Sequence, residues 1–272
     1  SAAQWDRIMK RAERMWDVSR GPFIESELKS PISLMKRFTF LRDMKVIAPW
    51  KTLRTHADEI VKDQRLRYIM DRYATYSGSD PRKAPAVLST IAFVEESFGA
   101  WHVKGGLGQL AATVYQRALD VGVTFHLNSP VAAINTAGKK VTGVTLADGT
   151  VVEADAVVAN ADASLVYNKL ITGNKRALKK ARKNIQKADV SVAGFCLLLG
   201  MRKDPEQVLN HHTILFPENY DAEFDAIFTD GKPVEKPTIY ICAPQDPAMS
   251  KDETLEGWFV LVNAPTHGQF DW

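Results

Sequence analysis

Residues 101–122, WHVKGGLGQLAATVYQRALDVG, decide the fold class. The sequence pattern before them is mostly helical, and the pattern after them is one of short strands and turns. Gly105 and Gly106 predict a tight turn, since glycine accepts backbone conformations that other residues avoid. A helix is predicted to follow over residues 107–121. Its apolar face carries Leu110, Ala111, Val114, Ala118 and Leu119. Gly122 stands just past the predicted end of the helix, where glycine is a preferred residue.

Downstream of this helix, short strands are predicted, separated by turns. They cover residues 123–127, 130–134, 141–146 and 150–152. Asp148 and Gly149 mark the turn before the last of these. The apolar run 156–159 is typical of a fully buried strand, and the residues after it, Asn160 to Asp162, end it.

Upstream, the first ninety-odd residues predict mostly helix. Apolar residues recur at helical spacing over residues 3–19, 34–53, 58–76 and 86–94. Pro49 is expected to kink or interrupt the second of these helices.

The last third predicts one basic helix followed by alternating strands and loops. The basic helix covers residues 175–187. A second, shorter helix is predicted over residues 222–228. Strands are expected at residues 190–199, 213–216, 238–242 and 258–262. Helices and strands of this kind together indicate an α/β or mixed α+β fold.

Composition excludes some classes of function but does not identify one. The 272 residues carry a net charge of +3 and 25% charged side chains, which is ordinary for a globular protein and does not by itself indicate nucleic acid. The two cysteines, Cys196 and Cys242, lie in apolar runs without zinc-site spacing, so buried free thiols are expected. No motif of a hydrolase is visible. No apolar run is long enough to span a bilayer and no signal peptide is visible, so a cytoplasmic location is expected.

A series of short motifs from residue 101 onward resembles one known family. The pieces are WHVKGG at 101–106, LADG at 146–149, ADAVVANAD at 154–162, HHT at 211–213, TIYICAP at 238–244, NAP at 263–265 and DW at 271–272. Their order is similar to that of the phytoene (carotenoid) desaturases, within the FAD-dependent amine-oxidase-like superfamily. The helical first third is similar as well, around residues 40–44 and 78–81.

The resemblance implies three parts in an α/β fold. Residues 1–94 would be helical and face the substrate or membrane, residues 95–168 would be an incomplete Rossmann-like FAD-binding portion, and residues 169–272 would give a mixed or antiparallel substrate-domain sheet. The sequence contains no GxGxxG turn to hold the FAD pyrophosphate. A middle fragment is therefore expected, which binds FAD weakly or not at all and is inactive alone.

The resemblance also implies roles for particular residues. Arg42 and Asp43 would take part in catalysis, in which hydride passes to flavin N5 and a proton also leaves. Cofactor contacts are expected at Val131, Ala159, Asn160, Ala161 and Asp162. Substrate-cavity positions are expected at Trp101, Gly105, Gly106, His211 and His212, with no metal. Each set also has a purely structural interpretation as turn residues, a surface ion pair or a structural histidine pair.

Two basic segments are relevant to what the protein could bind. Residues 36–54 combine basic with aromatic and aliphatic side chains, which is typical of a membrane-interface helix, although packing on the protein's own core explains the pattern equally well. Residues 175–187 are more simply a solvated face. The expected partners are a lipophilic carotenoid, a membrane surface bound peripherally and possibly a separately encoded FAD-binding half, but not nucleic acid.

Two other functions remain open from the sequence. The chain could be a non-catalytic lipid- or carotenoid-binding module or a subunit of a split flavoenzyme. It could also come from a related flavin oxidoreductase that acts on an amine or a retinoid.

Overall fold

The computed structural model describes residues 2–27, 32, 35, 39–171, 175–188, 190–204, 206 and 209–266. The chain divides into two compact units. The first combines Ser1–Ala111 with Ser191–Trp272, and the second is Ala112–Val190. Helices and antiparallel sheets make up both, so the predicted mixed α/β class is confirmed. The three-part functional division has other boundaries and stays a prediction.

Helices dominate the first part of the chain. They are α1 (Ala2–Ser19), α2 (Phe40–Ile47), α3 (Leu53–Ile60), α4 (Gln64–Thr75), α5 (Ser89–Phe98) and α6 (Leu107–Asp120). A π-helical turn, Arg20–Ile24, extends α1, and a 3-10 turn, Ala86–Leu88, precedes α5. The apolar faces of α1, α3, α4 and α5 meet in one buried cluster, which includes Ile8, Leu53, Val61, Met70 and Ala92.

Local signals explain where these helices end. α2 stops at Ala48, which adopts a left-handed conformation (φ 48°) just before Pro49, as the proline predicted. The prediction of a single helix over residues 58–76 was wrong, because Val61 is extended between α3 and α4. Asp63 then begins α4, since its carboxylate accepts a hydrogen bond from the Arg65 N–H. Residues 34 and 36–38 of the predicted second helix lie outside the described residues.

The second unit contains most of α6, a small antiparallel sheet and the helical segments that follow it. Its strands are β1 (Val131–Ala137), β2 (Lys140–Leu146) and β3 (Val151–Glu153), in the order β1-β2-β3. After them come α7 (Ala163–Leu165), which continues as a π-helical turn, and α8 (Lys175–Lys187). The strands predicted at 130–134, 141–146 and 150–152 and the basic helix are confirmed.

Two predicted strands in this unit were wrong. Residues 123–127 and 156–159 form no strand, and the Val158 side chain is 96% exposed. An apolar run becomes a strand only when a neighbouring strand accepts and donates its backbone hydrogen bonds. The described part of the chain provides no such neighbour for either run.

A four-stranded sheet completes the first unit. Its strands are β4 (Ala193–Arg202), β5 (His212–Leu215), β6 (Ile239–Cys242) and β7 (Leu255–Ala264), antiparallel in the order β4-β7-β6-β5. Helix α9 (Asp221–Asp225) lies between β5 and β6 in sequence. Cys196, expected to be buried, is exposed on β4, because this edge strand of the sheet is uncovered on both sides there.

Ion pairs join the helices of the first unit to the segment around α9. Arg54 of α3 donates to Asp71 on α4 at 2.9 Å and to Asp221 on α9 at 2.6 Å. Arg82 donates in the same way to Asp80 and to Asp225. Burial raises the pKa of Asp71 to about 6 although Arg54 opposes the rise, whereas Arg54 lowers the pKa of the more exposed Asp221. These contacts tie α3 and the loop that carries Arg82 to α9.

No helix within the described residues combines the length and the apolar character needed to cross a membrane.

Candidate functional site

One face of the four-stranded sheet, here called the cavity face, forms the floor of the candidate site. Residues opposite each other in an antiparallel pair share a face, as do every second residue along a strand. The pairs Leu198–Phe259, Phe259–Cys242 and Cys242–His212 therefore align across all four strands. The cavity face comprises Gly194, Cys196, Leu198, Gly200, His212, Ile214, Tyr240, Cys242, Gly257, Phe259, Leu261 and Asn263.

Two cavities lie over this face. The tryptophan cavity, about 800 Å³, is bordered by Trp101 and Trp258 together with Leu198, Cys242 and Phe259. The arginine cavity, about 860 Å³, is bordered by residues that include Arg72, Tyr76, Ile214, Leu261 and Asn263. Both cavities share three lining residues, Ala100, His212 and Tyr240. The two spaces therefore adjoin at the His212–Tyr240 pair.

Two glycines in the floor of the tryptophan cavity leave space above the sheet, because no side chain projects from them. Gly200 on β4 pairs with Gly257 on β7, and both line the cavity. A Cβ atom added at either position would meet no other atom within 4 Å. A side chain added here would therefore start in open space and occupy part of the cavity.

The structure brings the predicted substrate-cavity residues together. Trp101, Gly106, His211 and His212 line the tryptophan cavity. Gly105 adjoins it and has a positive φ of 79°, as does Gly106 with 86°, which agrees with the predicted tight turn. The Trp101 ring is 88% exposed, and its indole N–H donates to the Phe98 carbonyl at 3.1 Å.

Asp246 fixes this glycine turn, and sequence reasoning missed that role. Its Oδ2 accepts from the Gly105 N–H at 2.6 Å and lies 2.9 Å from His102 Nε2, while Oδ1 accepts from the Ala248 N–H. The hydrogen bonds, that of Gly105 first, lower the Asp246 pKa to about 2. Asp246 stands before Pro247, a pair that favours a turn, but this local signal does not reveal the contact with Gly105. Its partner Gly105 lies 141 residues away.

A row of rings crosses the wall of the tryptophan cavity. His102 packs edge-on against His211, with ring centres 5.0 Å apart, and His211 stacks on His212 at 4.4 Å. His212 stacks on Tyr240, and its Nδ1 lies 2.7 Å from the Tyr240 hydroxyl. Desolvation, with help from the two neighbouring imidazoles, lowers the His211 pKa, and burial raises the Tyr240 pKa to about 12. Both shifts favour the neutral side chain, which suits an apolar ligand.

The histidines that the structure describes do not assemble a metal site. Within the residues that the structure describes, no three His, Cys, Asp or Glu side chains are grouped so that they could hold an ion. The pair His211–His212 is instead part of the row of rings.

The predicted catalytic residues lie elsewhere in the first unit. Arg42 and Asp43 are neighbours on α2, with Arg42 Nη2 3.3 Å from Asp43 Oδ1. Asp43 Oδ2 also accepts from the Thr39 hydroxyl at 2.6 Å. Asp43 borders a small apolar cavity near Phe40 and Ile47, and neither residue lines the tryptophan or the arginine cavity. Their catalytic role stays a prediction.

The predicted cofactor residues belong to the second unit. Val131 opens β1 and pairs with Leu146. Ala159, Asn160 and Ala161 are exposed and lie outside any strand. Asp162 caps α7 by accepting from the Ser164 N–H at 2.8 Å, and Ser164 lowers the pKa of Asp162.

These residues do not fit a complete FAD site. A dinucleotide cradle needs a buried strand, a glycine turn and a helix N-terminus in sequence. Residues 156–159 form no strand, and Gly105 and Gly106 follow a segment, 99–104, without strand structure. The cofactor assignments therefore stay predictions.

Comparison with known proteins identifies the family. The model of the family "Flavin containing amine oxidoreductase" matches residues 3–239. The 1-hydroxycarotenoid 3,4-desaturase of a Flavobacterium species is 31% identical over 267 residues, 95% of this chain and 52% of that protein. The zeta-carotene-forming phytoene desaturase of Myxococcus xanthus is 36% identical over 223 residues, 80% of this chain and 42% of that protein. The lycopene-forming phytoene desaturase of a Paracoccus species is 31% identical over 254 residues, 92% and 48% of the two chains.

The chain thus spans about half the length of the curated relatives it matches. The resemblance to carotenoid desaturases that the motifs indicated is confirmed. The chain belongs to the flavin-containing amine oxidoreductase family.

Proposed function

We propose that the whole protein is an FAD-dependent desaturase of a long polyene, and that this chain supplies its substrate cavity. The observation that carries the proposal is the pair of adjoining cavities over one continuous sheet face. The family implies FAD as the cofactor, and relatives named as carotenoid desaturases support a carotenoid-like substrate.

The cavity face has the length that an extended ligand requires. β4 and β7 each contain ten residues, and a strand rises about 3.3 Å per residue, so the floor is about 33 Å long. Leu198, Phe259 and Leu261 give it apolar side chains. A rigid polyene would lie along these strands with little loss of conformational freedom, because its conjugated backbone is already extended.

The polar groups of the cavity would orient the ligand. The Tyr240 hydroxyl, held by His212, stands at the junction of the two cavities. The turn held by Asp246 places Trp101 and Gly106 against the tryptophan cavity. The chain's own part in the reaction is then to bind the polyene, fix its register and exclude water. The oxidation requires the FAD of the whole protein.

Filling the cavity floor tests this proposal. Gly257→Leu should weaken polyene binding about tenfold or more, which corresponds to about 1.4 kcal/mol of lost contact energy. Binding is measured as quenching of the chain's tryptophan fluorescence by a polyene delivered in detergent micelles. Gly21→Leu is the matched control, because Gly21 is exposed, also meets no atom within 4 Å and lies outside both cavities. Equal binding by wild type and Gly257→Leu, with unchanged circular dichroism, would contradict the proposal.

We also propose that this 272-residue chain binds FAD weakly or not at all by itself. The absence of a GxGxxG turn from its sequence and the exposure of residues 159–162 support this. Flavin absorbance that copurifies in equal amount with the chain would refute it. Polyene binding that never leads to oxidation, even when a GxGxxG-bearing FAD-binding half is supplied, would favour a non-catalytic carotenoid-binding module.

Peripheral membrane association is a further part of the proposal. Leu41 and Trp50, 76% and 66% exposed, lie in the same segment as the cations Arg42 and Lys45. Apolar side chains flanked by cations suit an anionic interface. The double variant Leu41→Ser, Trp50→Ser should lose flotation with anionic vesicles, whereas Val158→Ser should keep it although Val158 is even more exposed. Equal flotation of both variants would rule out this surface.

A further inference from the structure

A third cavity adjoins the tryptophan cavity. This loop cavity, about 400 Å³, lies between β7 and the segment around Asp246. Its apolar lining consists of Leu209, Pro244, Pro247, Met249, Leu255 and Gly257. The exposed charged residues Lys203, Asp204 and Glu253 border it as well. The loop cavity therefore offers apolar surface beside a charged border that faces water.

Strand β7 shows the order in which the three cavities follow one another. Leu255 lines the loop cavity, Phe259 the tryptophan cavity and Leu261 the arginine cavity. Gly257, between Leu255 and Phe259, lines both the loop cavity and the tryptophan cavity. These four residues alternate along the strand and share the cavity face. A molecule extended along β7 would therefore run from the arginine cavity through the tryptophan cavity towards the loop cavity.

Met249 stands where the loop cavity and the tryptophan cavity meet. It lines both of them, as do Pro244 and Gly257. The tip of its side chain lies against the glycine turn, since a Cβ atom added at Gly106 would be 3.1 Å from Met249 Cε. Gly106 itself lines the tryptophan cavity. The Met249 side chain thus reaches from the segment around Asp246 to the opposite wall and partly separates the two cavities.

The backbone of Met249 is held in place, whereas its side chain is free to adapt. Met249 ends the 3-10 turn Pro247–Met249, and its N–H donates to the Asp246 carbonyl at 3.0 Å. Asp246 Oδ2 in turn accepts from the Gly105 N–H at 2.6 Å. The side chain is 50% exposed, and methionine is unbranched and fits its shape to irregular apolar surfaces. A change of this side chain should therefore alter the cavity and leave the fold intact.

We propose that Met249 is a specificity-determining residue, which sets the length of polyene that the cavity accepts. The hydrocarbon end of the ligand would stop against Met249, and the loop cavity would receive a longer ligand once this side chain is shortened. A thioether suits the end of a hydrocarbon, because it requires no hydrogen-bond partner. The inference rests on the proposed function, since it places a polyene in the tryptophan cavity.

The test varies the length of the ligand. Polyenes lengthened stepwise by saturated isoprene units at one end are delivered in detergent micelles. Binding is measured as quenching of tryptophan fluorescence, because Trp101 and Trp258 line the cavity. Each variant's affinity is divided by that of wild type for the same ligand, which cancels the partition of the ligand into micelles.

Met249→Ala should change the binding of long ligands alone. For lengths that wild type accepts, its affinity should stay within about threefold of wild type, because only the contact with the ligand's end is lost. For the first ligand that is too long for wild type, Met249→Ala should bind about tenfold more tightly or better. The additional unit then enters the apolar loop cavity instead of remaining in water.

Three further variants show where the additional unit goes. Met249→Leu, which nearly conserves volume, should behave as wild type. Met201→Ala makes the same change on the opposite face of the sheet, outside the loop and tryptophan cavities, and should also behave as wild type. The double variant Met249→Ala, Leu255→Trp should lose the gain, because the larger ring occupies the loop cavity that Leu255 lines.

Every other outcome overturns the inference, and the outcomes are distinguishable. If Met249→Ala binds long ligands no better than wild type, or shifts all lengths by one factor, Met249 does not select by length while the proposed function survives. A gain in Met201→Ala would reveal general loosening of the sheet. A gain that persists in the double variant would exclude the loop cavity as the recipient. If wild type binds polyenes of none of these lengths, the inference and the proposed function both fail.

Discussion

Two regions of the molecule differ in how far they bury their apolar side chains. One is the cluster of helices α1, α3, α4 and α5, and the other is the second unit, residues 112–190. In the helical cluster Ile8, Leu53 and Met70 are fully buried by their own neighbours. In the second unit, the buried apolar side chains among the described residues are Ile134, Val166 and Leu178. Large apolar residues there, such as Val158 and Leu127, are exposed.

The difference separates a region that has its own core from one that does not. Burial of apolar surface is the main favourable term in folding, at about 25 cal/mol per Å². The helical cluster gains that energy within the described chain. The second unit keeps its shape through strand pairing and turns, and much of its apolar surface contributes nothing to stability in this chain. Three comparisons test this contrast, each between a residue of the first unit and a residue of the second.

The largest effect is expected from core truncation. Leu53→Ala should destabilise the chain by roughly 2 to 5 kcal/mol, because it removes fully buried methyl groups and leaves a void. Val158→Ala should change stability by less than about 0.5 kcal/mol, since the side chain is already in water. Urea unfolding followed by circular dichroism measures both. A similar loss in the two variants would show that the second unit has a core of its own.

A smaller effect is expected from the buried histidine of α3. His56 is 1% exposed and its Nε2 has no partner. Burial, aided by the charge of Arg11, lowers its pKa to about 4. The unfolded chain therefore binds a proton first as the pH falls from about 6.5, and the contribution of His56 to stability falls by on the order of 3 kcal/mol between about pH 6.5 and pH 4. His56→Gln should remove this decrease, whereas His126→Gln, at an exposed site of the second unit, should leave it in place.

Asp71 adds a second test to the same experiment. Its pKa shift makes stability depend on pH in the direction opposite to that of His56. Its folded-state pKa is raised to about 6, so the folded chain binds a proton before the unfolded chain does. Stability from this group is present at low pH and is lost as the pH rises from about 4 through 6. In His56→Gln the remaining dependence should thus have a reversed slope in this range. Unfolding curves at several pH values would decide, and an unchanged slope would contradict the burial of His56.

The smallest effect is expected from two glycines with the same backbone conformation. Gly78 (φ 62°) and Gly138 (φ 63°) both need the left-handed region, so an alanine at either costs about 1 kcal/mol. At Gly78, an added Cβ would lie 2.5 Å from Ser191 Cβ, whereas nothing lies within 4 Å at Gly138. Gly78→Ala should therefore destabilise more than Gly138→Ala in thermal unfolding. Equal losses would mean that the Gly78 contact with the segment before β4 adjusts freely.

Sequence patterns predicted the elements well wherever the signal was local. The helix after Gly106, strands β1 and β2 and the strands of the cavity-face sheet were predicted close to their observed bounds. The helix over 58–76 was divided because Asp63 caps a new start, a signal that the apolar period hid. The run 156–159 predicts a strand by its apolar composition, but composition cannot show whether a pairing strand is present.

By itself the sequence determined the fold class, the glycine turn at Gly105 and Gly106 and the family, because turn residues, apolar periods and motif order are written in neighbouring positions. Only the tertiary structure decided that Asp246 holds that turn, that Gly200 and Gly257 pair with each other in a cavity floor, and that Arg72 is buried. These properties depend on atoms brought together from residues far apart in the chain. Burial and hydrogen bonding are set by that proximity, and no local pattern contains it.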